Sequence, residues 1–457
     1  MASRRDVLNL LVLSASSVML GSRVFAAPRS ATAQPDLRGA IDAGDYRAVP
    51  GVARNQSQAL QRMIEQASRE NARVFLPPGT YPVSNLTLPD NARITGVAGA
   101  SRIVYTGGGY LFAAENAKRI ELSDIVIDGG NRPLGENASA LLQFSAADEV
   151  LIDNCEVVGS RKYGIQMERC GGRIERSRIS GASQAAVYVI DSAGLSISDN
   201  TVTDCDNGGI LVHRWETGED GTIVSRNRIA RIGASDGGTG QNGNGINVFR
   251  AGNVMVTDNH VSDCAFTAIR ANSASDVQIS GNQCHRSGET AIYCEFSFEG
   301  AVVSGNLIDG AANGISIANF NEGGRLASVT GNVVRNLSLN GPYKHESGFG
   351  IGIAAEADTL VSGNVIENAP RWGLQLGWGP YMRNLIVNGN IIRKAPVGCA
   401  VSVVEGAGAA VITENIFEAM TDGAIIGYRW DDRATGELAT SGASAFTHLT
   451  LERNRLI

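Results

Sequence analysis

The chain has 457 residues, a formal net charge of −7 and 55 glycines, about 12% of the chain against a usual ~7%. With 43% hydrophobic and only 19% charged residues it is not a disordered chain, and its glycines follow no three-residue period, which excludes collagen. So many glycines also argue against a helical bundle, where each interior glycine costs roughly 1 kcal/mol, and leave a turn-rich β protein of two ordinary domains or one solenoid.

The N-terminus reads Ser3-Arg4-Arg5-Asp6-Val7-Leu8, then an apolar run to about Leu20, then Val24-Phe25-Ala26-Ala27. It resembles a twin-arginine (Tat) signal peptide, with Val7 where Phe is commoner. That resemblance implies that residues 1–27 are a signal peptide handled by the Tat export machinery, and that the mature chain is periplasmic or secreted. An uncleaved anchor or a Sec signal is the alternative. Cleavage near Ala26 or Ala27 removes three Arg and one Asp, so the mature charge is −7 − 2 = −9. No later apolar run approaches membrane length, so no membrane span is expected after cleavage. The acidic balance gives no long-range attraction for polyanions, so nucleic acid is not an expected partner.

Residues 28–55 read as a linker, and residues 56–91 as an N-terminal cap. Within the cap, Ala59 to Glu70 is an amphipathic helix with Leu60, Met63, Ile64 and Ala67 on one face, followed by a first strand at Arg73-Val-Phe-Leu-Pro-Pro-Gly-Thr-Tyr81. From residue 92 to 457 a short β-branched run ending in Gly-Asn, Asp-Asn or a close relative recurs, at Asn200, Asn227, Asn259, Asn282, Asn306, Asn332, Asn364, Asn390, Asn415 and Asn454. The tightest spacings are 23 to 26 residues, and the longer ones carry insertions. A second strand follows each turn, as at Gly209-Ile210-Leu211-Val212 and Gly314-Ile315-Ser316-Ile317. Such strands bury their apolar faces only by stacking coil on coil, and Asn and Gly suit the turns because both tolerate left-handed backbone. A propeller blade of four strands needs a longer period.

This pattern resembles the parallel β-helix repeat of the pectate-lyase superfamily. The resemblance implies an all-β fold, a single-stranded right-handed parallel β-helix (solenoid) whose open end is plugged by an N-terminal amphipathic capping helix. With the twin arginines, the segments Gly288-Glu-Thr-Ala-Ile-Tyr-Cys-Glu-Phe296, Gly348-Phe-Gly-Ile-Gly-Ile353, Gly377-Trp-Gly-Pro-Tyr381 and Gly427-Tyr-Arg-Trp430 are similar to the twin-arginine-translocated uncharacterised repeat protein family. That family implies a carbohydrate-enzyme-like β-helix and a folded cargo, and supplies no catalytic residue.

Seven cysteines, an odd number, argue against a disulfide framework, and export in the folded state means folding in a reducing compartment. Cys205 and Cys264 fall two coils apart, about 10 Å at 4.8 Å per coil, beyond disulfide reach. Buried free thiols are expected. No closely spaced Cys/His set is present, so no metal site and no cofactor are predicted; an unknown cofactor, suggested only by Tat export, is a weaker alternative.

If the Ile of each second strand points inward, the outward residues form two columns. The first reads Leu211, Asn247, Arg270, Tyr293, Ser316, Gly352, Gln375, Ser402, and the second His213, Phe249, Asn272, Glu295, Ala318, Ala354, Gly377, Val404. Polar residues gather on the upstream coils and small ones follow, giving a shallow floor that Phe320, Trp372, Trp378, Tyr381, Tyr428 and Trp430 could border. Insertions at 234–244 and 336–348 enter just before the outward strand and are placed to build one wall. An aromatic-bordered groove suits a polysaccharide or oligosaccharide.

Within that groove Arg270, Tyr293 and Glu295 are the catalytic candidates, and His213, Asn247, Asn272, Trp378, Tyr428 and Trp430 the substrate-binding ones. Arg270 as neutraliser of a uronate carboxylate, with Tyr293 and Glu295 as acid and base, fits a uronate lyase or C5 epimerase. Hydrolysis needs a second carboxyl group, to be supplied by a loop residue such as Glu299, Glu322 or Glu346, because Glu168 is five coils from Glu295. The alternatives are a non-catalytic glycan- or partner-binding envelope protein and a glycoside hydrolase. The Asp-Pro-His signature of alginate epimerases is absent, and a neutral glycan is a further possibility.

Overall fold

Three short strands per coil pair in parallel with their equivalents one coil away, and the three ladders so formed are the faces of a solenoid. The structure is a computed structural model describing residues 39–344 and 348–457. The expected signal peptide, the first part of the expected linker and His345 and Glu346 lie outside the described residues.

On the first face, Ser196–Ser198, Ile223–Ser225 and Met255–Thr257 stack in register. On the second face, Thr201–Cys205 pairs with Arg228–Ile232 and then His260–Cys264. On the third face, Gly208–Glu219 pairs with Asn244–Gly252 and then Ile269–Asn272. Among the described residues the first face holds sixteen strands. Among the described strands the antiparallel pair is Gly423–Arg429 with Asp432–Glu437, on the last coil of the third face.

Period-2 alternation sends one branched side chain per strand inward. Ile197, Val224 and Val256 from the first face, Val202, Ile229 and Val261 from the second, and Ile210, Ile246 and Ile292 from the third are fully buried. Each such side chain is worth about 1.5–3 kcal/mol when buried. All seven cysteines are free and buried, as expected; Cys205, Ile232 and Cys264 stand in register on successive coils. Burial pushes the Cys155 thiol up to about 12 and Cys205 up to about 11.

The recurrent Asn has one structural job. At the corner between the first and second faces, Asp199, Arg226 and Asp258 have φ of 59°, 55° and 57°, and the Asn that follows turns into the coil. Asn200 Nδ2 donates to Asn227 Oδ1 at 3.0 Å and to the Ile174 carbonyl at 2.9 Å, while the Asn200 backbone N–H donates to the same Asn227 Oδ1 at 3.0 Å. The pattern repeats through Asn259, Asn282, Asn306, Asn332, Asn364, Asn390 and Asn415 to Asn454. Backbone groups that a tight corner would strand are thereby satisfied.

A second corner explains part of the glycine excess. A Cβ on Gly314 would lie 2.3 Å from the Gly352 carbonyl, and one on Gly352 would lie 2.3 Å from the Gly373 carbonyl. Successive coils approach too closely there for any side chain. Gly352 therefore does not face outward, as the columns had it.

At the N-terminal end, α1 (Ser57–Arg69) buries Leu60, Met63, Ile64 and Ala67. Residues 40–42, expected within a linker, instead form a strand that pairs with Arg73–Phe75 and extends the first face. Among the described residues no helix is long and apolar enough to cross a membrane.

Candidate functional site

The third face is the irregular one, and the register explains why. Ser316 pairs with Ala354, and Ala354 with Gln375, then Ala400. The expected first column is therefore displaced by two residues at Gly352 and again at Ser402. In the second column Ile317 pairs with Ala355 and Ala355 with Leu376, so Ala318, Glu356 and Gly377 are equivalent, not Ala318, Ala354 and Gly377. The correction brings out a carboxylate, Glu356, that the displaced column concealed.

Small residues Ser316, Ala318 and Ala354 form the floor of a cleft of about 180 Å³. Glu289, Tyr293 and Asn313 lie at its upstream side, Tyr343 and Phe349 rise from the 336–350 insertion, and Gln375 and Trp378 stand downstream. Of the two insertions expected to build one wall, only Tyr343 of 336–348, among the described residues, lines the cleft, its ring stacked on Phe266 with centroids 6.2 Å apart, while the Gly240 carbonyl of 234–244 accepts from Arg270 Nη1 at 3.0 Å behind it.

Behind the upstream side is a buried polar network. Arg270 Nε donates to Glu295 Oε1 at 2.6 Å, and its Nη1 reaches Glu289 Oε2 at 3.4 Å. Asn272 Nδ2 donates to Glu295 Oε1 at 2.8 Å. Thr267 Oγ1 donates to Glu289 Oε2 at 2.9 Å and the Tyr343 hydroxyl to Glu289 Oε1 at 2.5 Å. Glu289, Glu295 and Arg270 are 1%, 3% and 8% exposed. Burial raises the Glu295 pKa, with Arg270 opposing it. Burial, helped by Glu295, also raises that of Tyr293. Arg270 lies under the Tyr293 ring, 5.2 Å from its centroid, with its Nε and Nη1 donors committed to Glu295, Glu289 and the Gly240 carbonyl. It does not face the cleft as a substrate neutraliser would, because two carboxylates and a carbonyl already hold it.

Glu356 differs from these. Its Oε2 accepts from the Phe320 backbone N–H at 2.7 Å. Burial nevertheless pushes its carboxyl up to about 7, against the lowering effect of the Phe320 and Asn319 amides. It lines the cleft, so it is a carboxylic acid that changes charge near neutrality within reach of a ligand.

The remaining expected residues divide. Trp378 borders the cleft, and with Trp430 (ring centroids 5.6 Å apart), Trp372 and Tyr428 (4.9 Å apart) it continues into an aromatic depression over Ala400 and Ser402. Trp430 is 45% exposed. Asn247 is buried at 7% exposure beside Arg270 in register, and His213 lies three coils from Glu295 between Tyr188 and Phe249. Neither reaches the cleft. Burial pushes His213 down to about 4, so its ring is neutral at physiological pH. Of the loop acids expected as partners, Glu299 pairs with Arg325 and Glu322 lies in a turn.

The cleft's titratable residues that were not singled out from sequence are Glu289, Tyr343 and Glu356. Glu289 sits in the middle of the Gln283–Glu295 strand, where the register shifts between Ser287 and Thr290, ahead of the alternating columns. Tyr343 lies in an insertion with no register. Among the described residues no group of three or more His, Cys, Asp or Glu side chains could hold a metal ion.

The pre-mature bacteriophage phi29 gene product 12 is 15% identical, with a TM-score of 0.57, over 87% of this chain and 58% of that one. The chain thus spans less than two thirds of that protein. The catalytic unit of a thermostable GH87 alpha-1,3-glucanase from Streptomyces thermodiastaticus is 15% identical over 93% of this chain and 69% of its own, with a TM-score of 0.46. The A-module of a mannuronan C-5 epimerase from Azotobacter vinelandii is 14% identical over 91% and 99%, with a TM-score of 0.38. No curated protein matches the chain. The model of the right handed beta helix region matches residues 90–229 and 215–334, more than half of the sequence. With three parallel ladders and an unbroken Asn corner, the chain belongs to the right-handed β-helix family.

Proposed function

We propose that the third-face cleft binds an uncharged glycan chain. The observation that carries this reading is the composition of its lining: a floor of small residues, tyrosine and tryptophan rings at its sides, two carboxyl groups, and, among the described residues, no lysine or arginine. Sugar rings stack their C–H faces on such side chains, and amides and carboxyls take their hydroxyls. A uronate lyase or epimerase needs a cation facing the substrate carboxylate, and Arg270 is spent on Glu289 and Glu295.

Proton donation by Glu356 is a second reading, favoured by its carboxyl pushed up to about 7. Glu295 and Glu356 are two coils apart, about 10 Å by the 4.8 Å rise, and Glu295 turns toward Arg270 and Asn272. That rise is at the upper edge of the usual carboxyl spacings of glycosidases, and the cleft's other carboxyl group, Glu289, is held by Thr267, Tyr343 and Arg270, so binding takes precedence over hydrolysis.

Calorimetric titration with neutral hexasaccharides (cello-, malto- and mannohexaose) and with an oligouronate tests the reading. Binding of a neutral hexasaccharide, lost in Ser316→Trp and weakened about tenfold or more in Trp378→Ala, is expected. Preferential binding of the oligouronate would overturn it. Product analysis in the same samples tests the second reading, which requires turnover abolished by Glu356→Gln.

Export by the Tat machinery to the periplasm or beyond, and membership of the twin-arginine-translocated repeat group, belong to this proposal. Arg4-Arg5 and seven buried free cysteines support them, since a protein exported folded forms its core where thiols stay reduced. Retention of an Arg4→Lys/Arg5→Lys variant in the cytoplasm is the expected result; unchanged export would refute it.

A further inference from the structure

A second aromatic feature lies on the same face, upstream of the cleft and separate from it. Tyr163, Tyr188, His213 and Phe249 run diagonally across four successive coils, with consecutive ring centroids 4.6, 5.1 and 5.4 Å apart. All four are only partly buried. They form a continuous half-exposed ribbon about 15 Å long, where the alternation of an ordinary outer face would place isolated polar side chains.

Polar side chains surround the ribbon. Upstream it runs into a depression of about 480 Å³ lined by Tyr110, Glu115, Gln143, Ser145, Gln166 and Glu168. Gln166 stands in register directly before Tyr188, and its Oε1 has no hydrogen-bond partner. At the other end Arg250 lies 4.9 Å from the Phe249 centroid and donates to the carbonyl of Trp215, which is 56% exposed. Two of the rim charge pairs are matched: Glu168 pairs with Arg169 at 2.6 Å and Asp191 with Arg214 at 3.8 Å.

We infer that this upstream half of the third face is a second saccharide site, taking uncharged sugar units on the Tyr163–Tyr188–His213–Phe249 ribbon. A row one ring wide, bordered by amide and carboxyl groups, fits a sugar chain, whose faces are apolar and whose edges carry hydroxyls. Among the described residues, the one acid and one base left over, Glu115 and Arg250, lie at opposite ends and are of opposite sign, so the rim carries no concentrated charge of one sign to select an ion. His213, pushed down to about 4 by burial, stays a neutral ring in this row. The Tyr188 coil is five coils from the Ser316 coil, about 24 Å along the axis. A chain long enough to span both sites would bind with the added strength of two linked contacts.

Calorimetric stoichiometry with cello-, malto- and mannotriose, too short to bridge the two sites, separates them. Two sites are expected in the unmodified protein and one in Tyr188→Ala, with two retained in Tyr188→Phe, which keeps the ring. Ser316→Trp, which fills the cleft, is expected to retain one site that adding Tyr188→Ala removes. Near-ultraviolet circular dichroism reports folding of each variant, and Phe249→Ala replaces Tyr188→Ala if the latter unfolds. A single site present in the unmodified protein, left by Ser316→Trp and lost in Tyr188→Ala, would support the ribbon and overturn the cleft. Failure of all three trisaccharides to bind Ser316→Trp at millimolar concentration, or indifference of the stoichiometry to Tyr188→Ala and Phe249→Ala, would overturn the ribbon.

Discussion

The corner between the first and second faces and the outer surface of the third face are built from the same coils but obey different rules. At the corner each coil from Asn200 to Asn454 repeats one side chain and one bonding pattern. On the third face the equivalent positions run Glu295, Ala318, Glu356, Gly377, no two consecutive ones alike. A solenoid needs every coil to solve the same corner problem, so the solution repeats. A ligand needs particular groups at particular heights, so the site lies where repetition fails.

Breaking the corner is expected to have the largest effect. Asn282→Ala removes the acceptor of the Asn259 backbone N–H and Nδ2, and the donor to the Val256 carbonyl. With each buried unpaired group costing about 1–3 kcal/mol, a loss of about 3–5 kcal/mol is expected by urea denaturation.

Glu356→Gln sharpens the other side of the comparison. The folded-state pKa of Glu356, about 7, lies above its ordinary 4.5. Its stabilising protonation is complete below the unfolded value and is lost as pH rises through 7. The variant should therefore match the parent at pH 4 and exceed it by about 2 kcal/mol at pH 8. Ionised Glu356 tolerated at no cost would show as parallel curves.

His213→Phe works in the opposite sense. With its pKa depressed from 6.5 to about 4, His213 contributes stability above pH 6.5 that is lost as pH falls toward 4. Replacing it should flatten the acid limb by about 1–2 kcal/mol in the same titration. The smallest effect is expected at the solvent side of the corner, where Arg226 pairs with Asp199 with both side chains substantially exposed. Arg226→Ala should leave the denaturation midpoint within experimental error.

The two regions also differ in what the sequence discloses. The corner Asn is legible because one residue type recurs at coil spacing, and the cap helix because Leu60, Met63, Ile64 and Ala67 share a face. Glu356 was concealed by a register ambiguity. In Ile351-Gly-Ile-Ala-Ala355 both isoleucines satisfy an inward position, and a slip of two residues preserves the alternation that a slip of one would invert. Only pairing with Ser316 chooses Ile353. Val401 for Cys399 is the same slip. Arg270 and Glu295 were found as neighbours, but sequence does not show that Arg270 also meets Glu289, whose partner Tyr343 arrives from an insertion.

The most direct test of the central claim is a carboxyl-carbon NMR titration of Glu356, assigned by its loss in Glu356→Gln, with and without a neutral hexasaccharide. A midpoint near 7 that shifts on saccharide binding is expected. A midpoint near the ordinary 4.5, unmoved by a saccharide that calorimetry shows to be bound, would contradict it.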